Sequence, residues 1–96
     1  MGADVFMITA TGVSARDAFT NARQEALHYS GHGGYTGTIA EKHGFTVIPL
    51  KEGREPYGYA GELIDDCDPR VNDKWGPAGC FELEEGRYLF FGWASC

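Results

Sequence analysis

Residues 4–11, Asp-Val-Phe-Met-Ile-Thr-Ala-Thr, are β-branched and aromatic with no turn former inside them. They read as a strand with Phe6 and Ile8 on one face and Val5 and Met7 on the other. After Gly12 the apolar period lengthens. Ala15, Ala18, Phe19, Ala22, Ala26 and Tyr29 recur at helical spacing and leave Arg16, Arg23, Gln24 and Glu25 outside. Ser14 with Asp17 three residues on supplies an N-cap and an acid near the positive end of the helix dipole. Gly31 is a natural C-terminal stop. Residues 36–41 and 45–50 then read as a hairpin around a Lys-His-Gly turn, with Gly44 giving the permissive backbone. Residues 51–58 are charged, contain Pro56 and read as a loop. Ala60, Leu63, Ile64 and Cys67 suggest a short second helix ended by Asp68-Pro69. A loop around Trp75 follows, then a second hairpin, 80–84 and 88–95, turning at Glu85-Gly86.

The order β-α-β-β-α-β-β predicts a single α+β domain over 1–96. Its antiparallel sheet would have about five strands, with both helices packed on one face. The stretch from Tyr88 to Trp93 places Phe91 and Trp93 on one face and Phe90 on the other. A 96-residue chain has little left to cover both faces, so a second subunit, and hence a homo-oligomer, is expected over one of them.

Composition narrows the classes of function. Net charge is −6 with only eight Lys and Arg, and no basic stripe marks a surface that would displace counterions from phosphates. General nucleic-acid binding is therefore disfavoured, whereas a basic protein partner suits the charge. No apolar run approaches the roughly 20 residues that span a bilayer. The start Met-Gly-Ala-Asp lacks a basic n-region, so a cytoplasmic location is expected. Cys67, Cys80 and Cys96 are odd in number and lack CxxC spacing, which fits reduced thiols.

Candidate chemistry gathers in two glycine-rich segments. Gly31, Gly33, Gly34 and Gly37 lie close together, and Gly76 and Gly79 flank Pro77-Ala78. Glycine permits close backbone approach to a ligand, and backbone N–H groups in such turns form anion-binding concavities. Lys42 and Lys74 would add point charges for phosphate, and Tyr35 and Trp75 could stack on a base. The plain alternative is that these glycines only turn the chain and these aromatics only fill the core. Other constellations carry less. His28, His32 and His43 lack a fourth ligand at motif spacing, and histidines near a helix C-terminus also complement its dipole. Glu62, Asp65, Asp66, Asp68 and Asp73 lack the glycine-punctuated alternation of a calcium loop and read as a solvated face. Cys80 invites a nucleophile reading, but it opens a hydrophobic strand, where a thiol behaves as a small apolar residue. No GxxxxGK[ST] or GxGxxG motif is present.

Three segments together, Gly33–Lys42, Asp68–Cys80 and Leu89–Ser95, containing GYTGTIAEK, DKWGPAGC and LFFGWAS, carry a resemblance. They resemble a family of small, mostly uncharacterised proteins encoded by tailed bacteriophages, actinobacterial phages among them, and by related mobile DNA. The resemblance spans most of residues 14–96. It implies a context, host machinery and host defence, rather than an activity. The expectation is a non-enzymatic phage accessory or anti-defence protein that sequesters a small phosphorylated or nucleotide-like ligand. Tyr35, Thr36, Thr38, Lys42, Lys74 and Trp75 would line the site, and Gly34, Gly37, Gly76 and Gly79 would give backbone access. No cofactor is implied. The alternatives are an inhibitor of a host nuclease or defence effector acting through an acidic face, and a small hydrolase using a His-based metal or Cys80.

Overall fold

The computed structural model describes residues 2–30 and 37–95. Strand β1 (Ala3–Thr11) leads into helix α1 (Ala15–Ser30), a 3₁₀ turn at Ile39–Glu41, strand β2 (Phe45–Val47), helix α2 (Pro56–Asp65), and strands β3 (Ala78–Glu82) and β4 (Arg87–Ser95). The single sheet has the order β1-β4-β3-β2. Strand β4 runs antiparallel to both its neighbours, in register from Ala3↔Ser95 to Thr11↔Arg87 on one side and from Gly79↔Phe91 to Glu82↔Tyr88 on the other. Strand β2 pairs parallel with β3, Phe45 opposite Ala78. Strands β1, β3 and β2 therefore point one way and β4 the other.

The first helix begins as its residues dictate. Ser14 Oγ accepts from the Asp17 N–H at 3.2 Å while Asp17 Oδ2 accepts from the Val13 N–H at 3.1 Å, a reciprocal cap. Ala18, Phe19 and Ala22 are buried as the apolar stripe requires, but Tyr29 is 79% exposed.

Two expectations are corrected. The first hairpin is absent over its described residues. Thr38 Oγ1 accepts from the Ala40 N–H and caps a 3₁₀ turn where a strand was expected, and residue 36 lies outside the described residues. Strand β2 instead reaches β3 through α2, a βαβ unit, so the sheet is four-stranded and mixed. Pro56 does not hold the chain in a loop. It occupies the first helical turn, where its missing N–H costs nothing, and Glu55 caps that turn by accepting from Gly58 N–H at 2.8 Å.

The second correction concerns the layers. Phe6, Ala18, Phe19, Ala22, Ile39, Cys80, Phe90 and Ala94 form one core cluster, and Tyr59, Ala60, Leu63, Ile64, Val71, Phe81, Leu89 and Phe91 form another. Because alternate strand residues face opposite ways, Phe90 and Phe91 belong to different clusters, and the two helices lie on opposite faces. Topology accounts for this. The β1→β2 crossover travels across the sheet and the β2→β3 crossover returns, and crossovers of one hand that reverse direction exchange faces. Phe19, Phe45 and Phe90 meet at 5.1–5.6 Å under α1. Tyr59 stacks on Phe81 at 5.3 Å under α2. The chain covers both faces of its own sheet, so the sequence argument for a covering second subunit falls.

Helix α2 ends in a motif the sequence does not advertise. Cys67 N–H donates to Ile64 O at 3.1 Å and Asp68 N–H to Leu63 O at 3.0 Å, the paired bonds of a Schellman cap. The residue in the left-handed position is Cys67, with φ 55°, where glycine is the usual occupant. Cys67→Gly is therefore expected to stabilise the domain by about 0.5–1 kcal/mol through relief of the Cβ clash. A lowered urea midpoint at unchanged m would refute it.

Candidate functional site

Lys42 reaches the second glycine-rich segment from the chain that follows the first. Lys42 follows the 3₁₀ turn, whose Ile39 O accepts from its backbone N–H at 2.9 Å. Its side chain is 1% exposed and runs beneath the turn at 73–76. There Nζ donates to Asp73 O at 3.2 Å, Lys74 O at 3.3 Å and Gly76 O at 2.9 Å. Three carbonyls need three N–H donors, which an ammonium supplies. Burial pushes the Lys42 pKa down, and the nearby Asp73 carboxylate pulls it partly back. The lysine thus presents no charge at the surface for a phosphate. It is a strut whose stem runs from the 3₁₀ turn to the turn at 73–76.

The strut fixes a tight turn. Gly76 N–H donates to Asp73 O at 2.9 Å, and Asp73 Oδ1 accepts from Trp75 N–H at 2.9 Å, so the aspartate organises the turn on both sides. Trp75 rides on top, 56% exposed. Lys74 Nζ lies 5.3 Å from the centre of its ring and donates to Gly2 O at 3.3 Å, tying the turn to the entry of β1.

The remaining candidates divide. Gly37 is buried with φ 71°, and Thr38 caps the 3₁₀ turn, both on the segment that Lys42 anchors. Gly34, Tyr35 and Thr36 lie outside the described residues. Gly79 does not line an opening. A Cβ built on it would stand 2.7 Å from Phe91 Cζ and 2.7 Å from Val71 Cγ1, so its hydrogen is what lets β3 pack under the second core cluster. Gly79→Ala is expected to cost about 1–3 kcal/mol by overpacking, read as a lower melting temperature. An unaltered melt would mean that Phe91 and Val71 yield without strain.

Cys80 is fully buried, and desolvation, with the Glu82 charge adding to it, pushes its thiol up to about 12. A thiol so placed holds its proton at neutral pH and reacts poorly, in keeping with a small apolar core residue. His28 is exposed with its ring 5.3 Å from that of Tyr29, His43 is exposed, and His32 lies outside the described residues. Among the described residues no group of three or more His, Cys, Asp or Glu is placed to hold a metal ion. No helix among them is long and apolar enough to cross a membrane.

Sequence reasoning passed over a second concave place. A cleft of about 480 Å³ opens beside α2, floored by Tyr59, Leu63 and Pro49 and edged by Lys51, Arg54, Glu62, Asp66, Asp68 and Arg70. Two of its cations, Lys51 and Arg54, sit in a stretch that reads as a solvated loop, and only their position over the Tyr59 ring sets them apart. Comparison with protein-family models, with curated proteins and with solved structures gives no match to this chain.

Proposed function

We propose that this chain is a non-enzymatic binding protein that captures a small phosphorylated or nucleotide-like ligand at the Trp75 turn. The observation that carries the reading is a half-exposed tryptophan on a turn held from beneath by a buried ammonium. Large apolar side chains at surfaces are usually costly to hold rigid, and a binding site gains when its stacking platform is fixed beforehand. Trp75 would stack on the ligand's ring, and Lys74 would sit beside its negative charge. Stacking on an aromatic platform contributes about 1–3 kcal/mol per base. The phage-family resemblance supplies the biological side of the proposal, an anti-defence role in the host cytoplasm through sequestration of an immune signal. Isothermal titration with cyclic nucleotides and ADP-ribose tests it. Heat of binding for one of them, lost in Trp75→Ala while the melting temperature holds, is the expected result. Absence of heat for the whole panel would sink it.

A second reading is favoured by where the positive charge goes. Arg54 pairs with Glu62, Arg70 with Asp68 and Arg87 with Glu84, Arg23 donates to Ala40 O at 3.1 Å, and Lys42 is buried. Much of the cationic inventory of a chain with net charge −6 is thus engaged internally, and Glu62, Asp65 and Asp66 are exposed along α2. On this reading the acidic face covers a basic surface of a host nuclease or effector. Pull-down from host lysate at low and high salt discriminates, since rim charges are screened within about 10 Å at 0.1 M salt. A partner retained equally at both would count against it.

A further inference from the structure

We infer that the cleft beside α2 is a binding site for a small zwitterion, a ligand bearing both a primary amine and a carboxylate. Its floor is well built. One face of the Tyr59 ring is stacked on Phe81, with 2° between the planes, and the ring is 8% exposed. The Arg54 guanidinium lies 4.9 Å and Lys51 Nζ 5.7 Å from its centre. Each arginine of the cleft is aimed by a carboxylate. Arg54 is paired with Glu62, and Arg70 donates through Nε to Asp68 Oδ1 at 2.9 Å and through Nη2 to Asp68 Oδ2 at 2.8 Å. A guanidinium has five N–H donors in a fixed fork, so one edge held by a carboxylate leaves the other edge oriented and unspent.

The charge inventory selects the ligand. Three cations, Lys51, Arg54 and Arg70, face three acids, Glu62, Asp66 and Asp68, around one cleft. Pairing Arg54 with Glu62 and Arg70 with Asp68 leaves Lys51 and Asp66, which make no ion pair with any of the described residues. One positive and one negative group therefore stand uncompensated on the same cleft. A simple anion meets the field of a chain with net charge −6, and a simple cation meets Lys51 and the two arginines. A zwitterion meets neither obstacle, because its carboxylate reaches Lys51 and the spare guanidinium edges while its amine reaches Asp66. The volume, about 480 Å³, lies in the range of small-molecule sites and leaves room for a side chain over Tyr59 and Leu63.

The experiment is a two-dimensional NMR titration of the intact chain at millimolar L-alanine, L-phenylalanine and L-arginine, with propionate and ethylamine as single-charge controls. Saturable shifts at the Lys51, Tyr59 and Asp66 amides are expected with at least one amino acid and not with either control. Lys51→Ala and Asp66→Ala, both at exposed positions, should each weaken the response fivefold or more while leaving the melting temperature in place. The inference is overturned if no amino acid shifts these amides, if propionate or ethylamine does so as strongly, or if both variants bind as the parent does.

Discussion

Replacing Lys42 with alanine is expected to lower stability by about 2–4 kcal/mol, because three partly buried carbonyls lose their donor at once and a packed stem is lost with it. For a domain of this size that corresponds to a fall of roughly 10–25 °C in melting temperature. Two companions separate the causes. Lys42→Met keeps most of the stem and removes the donors, so it should recover only the packing share. In Lys42→Ala the missing atoms are those of n-propylamine, so that amine should raise the melting temperature of the variant and leave the parent unmoved. Propan-1-ol, with one donor for three acceptors, should do little. A parent-like melt for Lys42→Ala would mean that the three contacts at 2.9–3.3 Å contribute nothing.

Ala22→Asp should be the more damaging change. Ala22 is 1% exposed on α1, in the apolar cluster that holds Phe19 and Phe90. An unpaired carboxylate there costs about 3–5 kcal/mol, a large share of the 5–15 kcal/mol that such domains possess. Burial raises the introduced group's pKa above its unfolded value, so fewer protons are bound in the unfolded state and stability falls as pH rises through that window. The variant should therefore melt at a higher temperature at about pH 4–5, near the unfolded carboxylate range, than at pH 7, while Ala22→Asn should show no such trend. Equal melts for variant and parent at neutral pH would place Ala22 on the wrong side of the helix.

Ala22 could be placed from the sequence alone because helical spacing is a local signal. The same holds for β1, for the hairpin of β3 and β4, and for the division of Phe90 from Phe91. The pairing of β2 was not legible. Nothing in Phe45-Thr46-Val47 distinguishes a strand that turns back on its predecessor from one that waits for β3 beyond a helix, since both require β-branched residues and a flanking glycine. Thr36 to Glu41 misled for a related reason. Threonine favours strands by its branching, yet at position 38 its hydroxyl finds a backbone N–H and caps a turn instead. At the candidate site, the direction of Lys42 was not legible in the sequence. A lysine beside glycines has the same signature whether its ammonium faces solvent or three carbonyls. The Asp68–Arg70 fork is equally silent in sequence, though it holds the Asp68 carboxyl down at about 2.

The place of β4 in the sheet sets an order of assembly. Among the described residues β1 has no strand neighbour other than β4, and its first residue, Ala3, is in register with Ser95. While the chain is being made, β1 and α1 exist for a long interval with an open edge and an uncovered apolar face, because the strand that will fill the gap between β1 and β3 is synthesised after both. The pairing of β2 with β3 across α2 is local and can form early, whereas closure of the sheet must wait for the most distant contacts in the molecule. Such contacts are slow, since loop entropy is lost before they reward it. The nascent chain is thus most vulnerable to capture by chaperone, protease or a second copy in the interval just before β4 inserts.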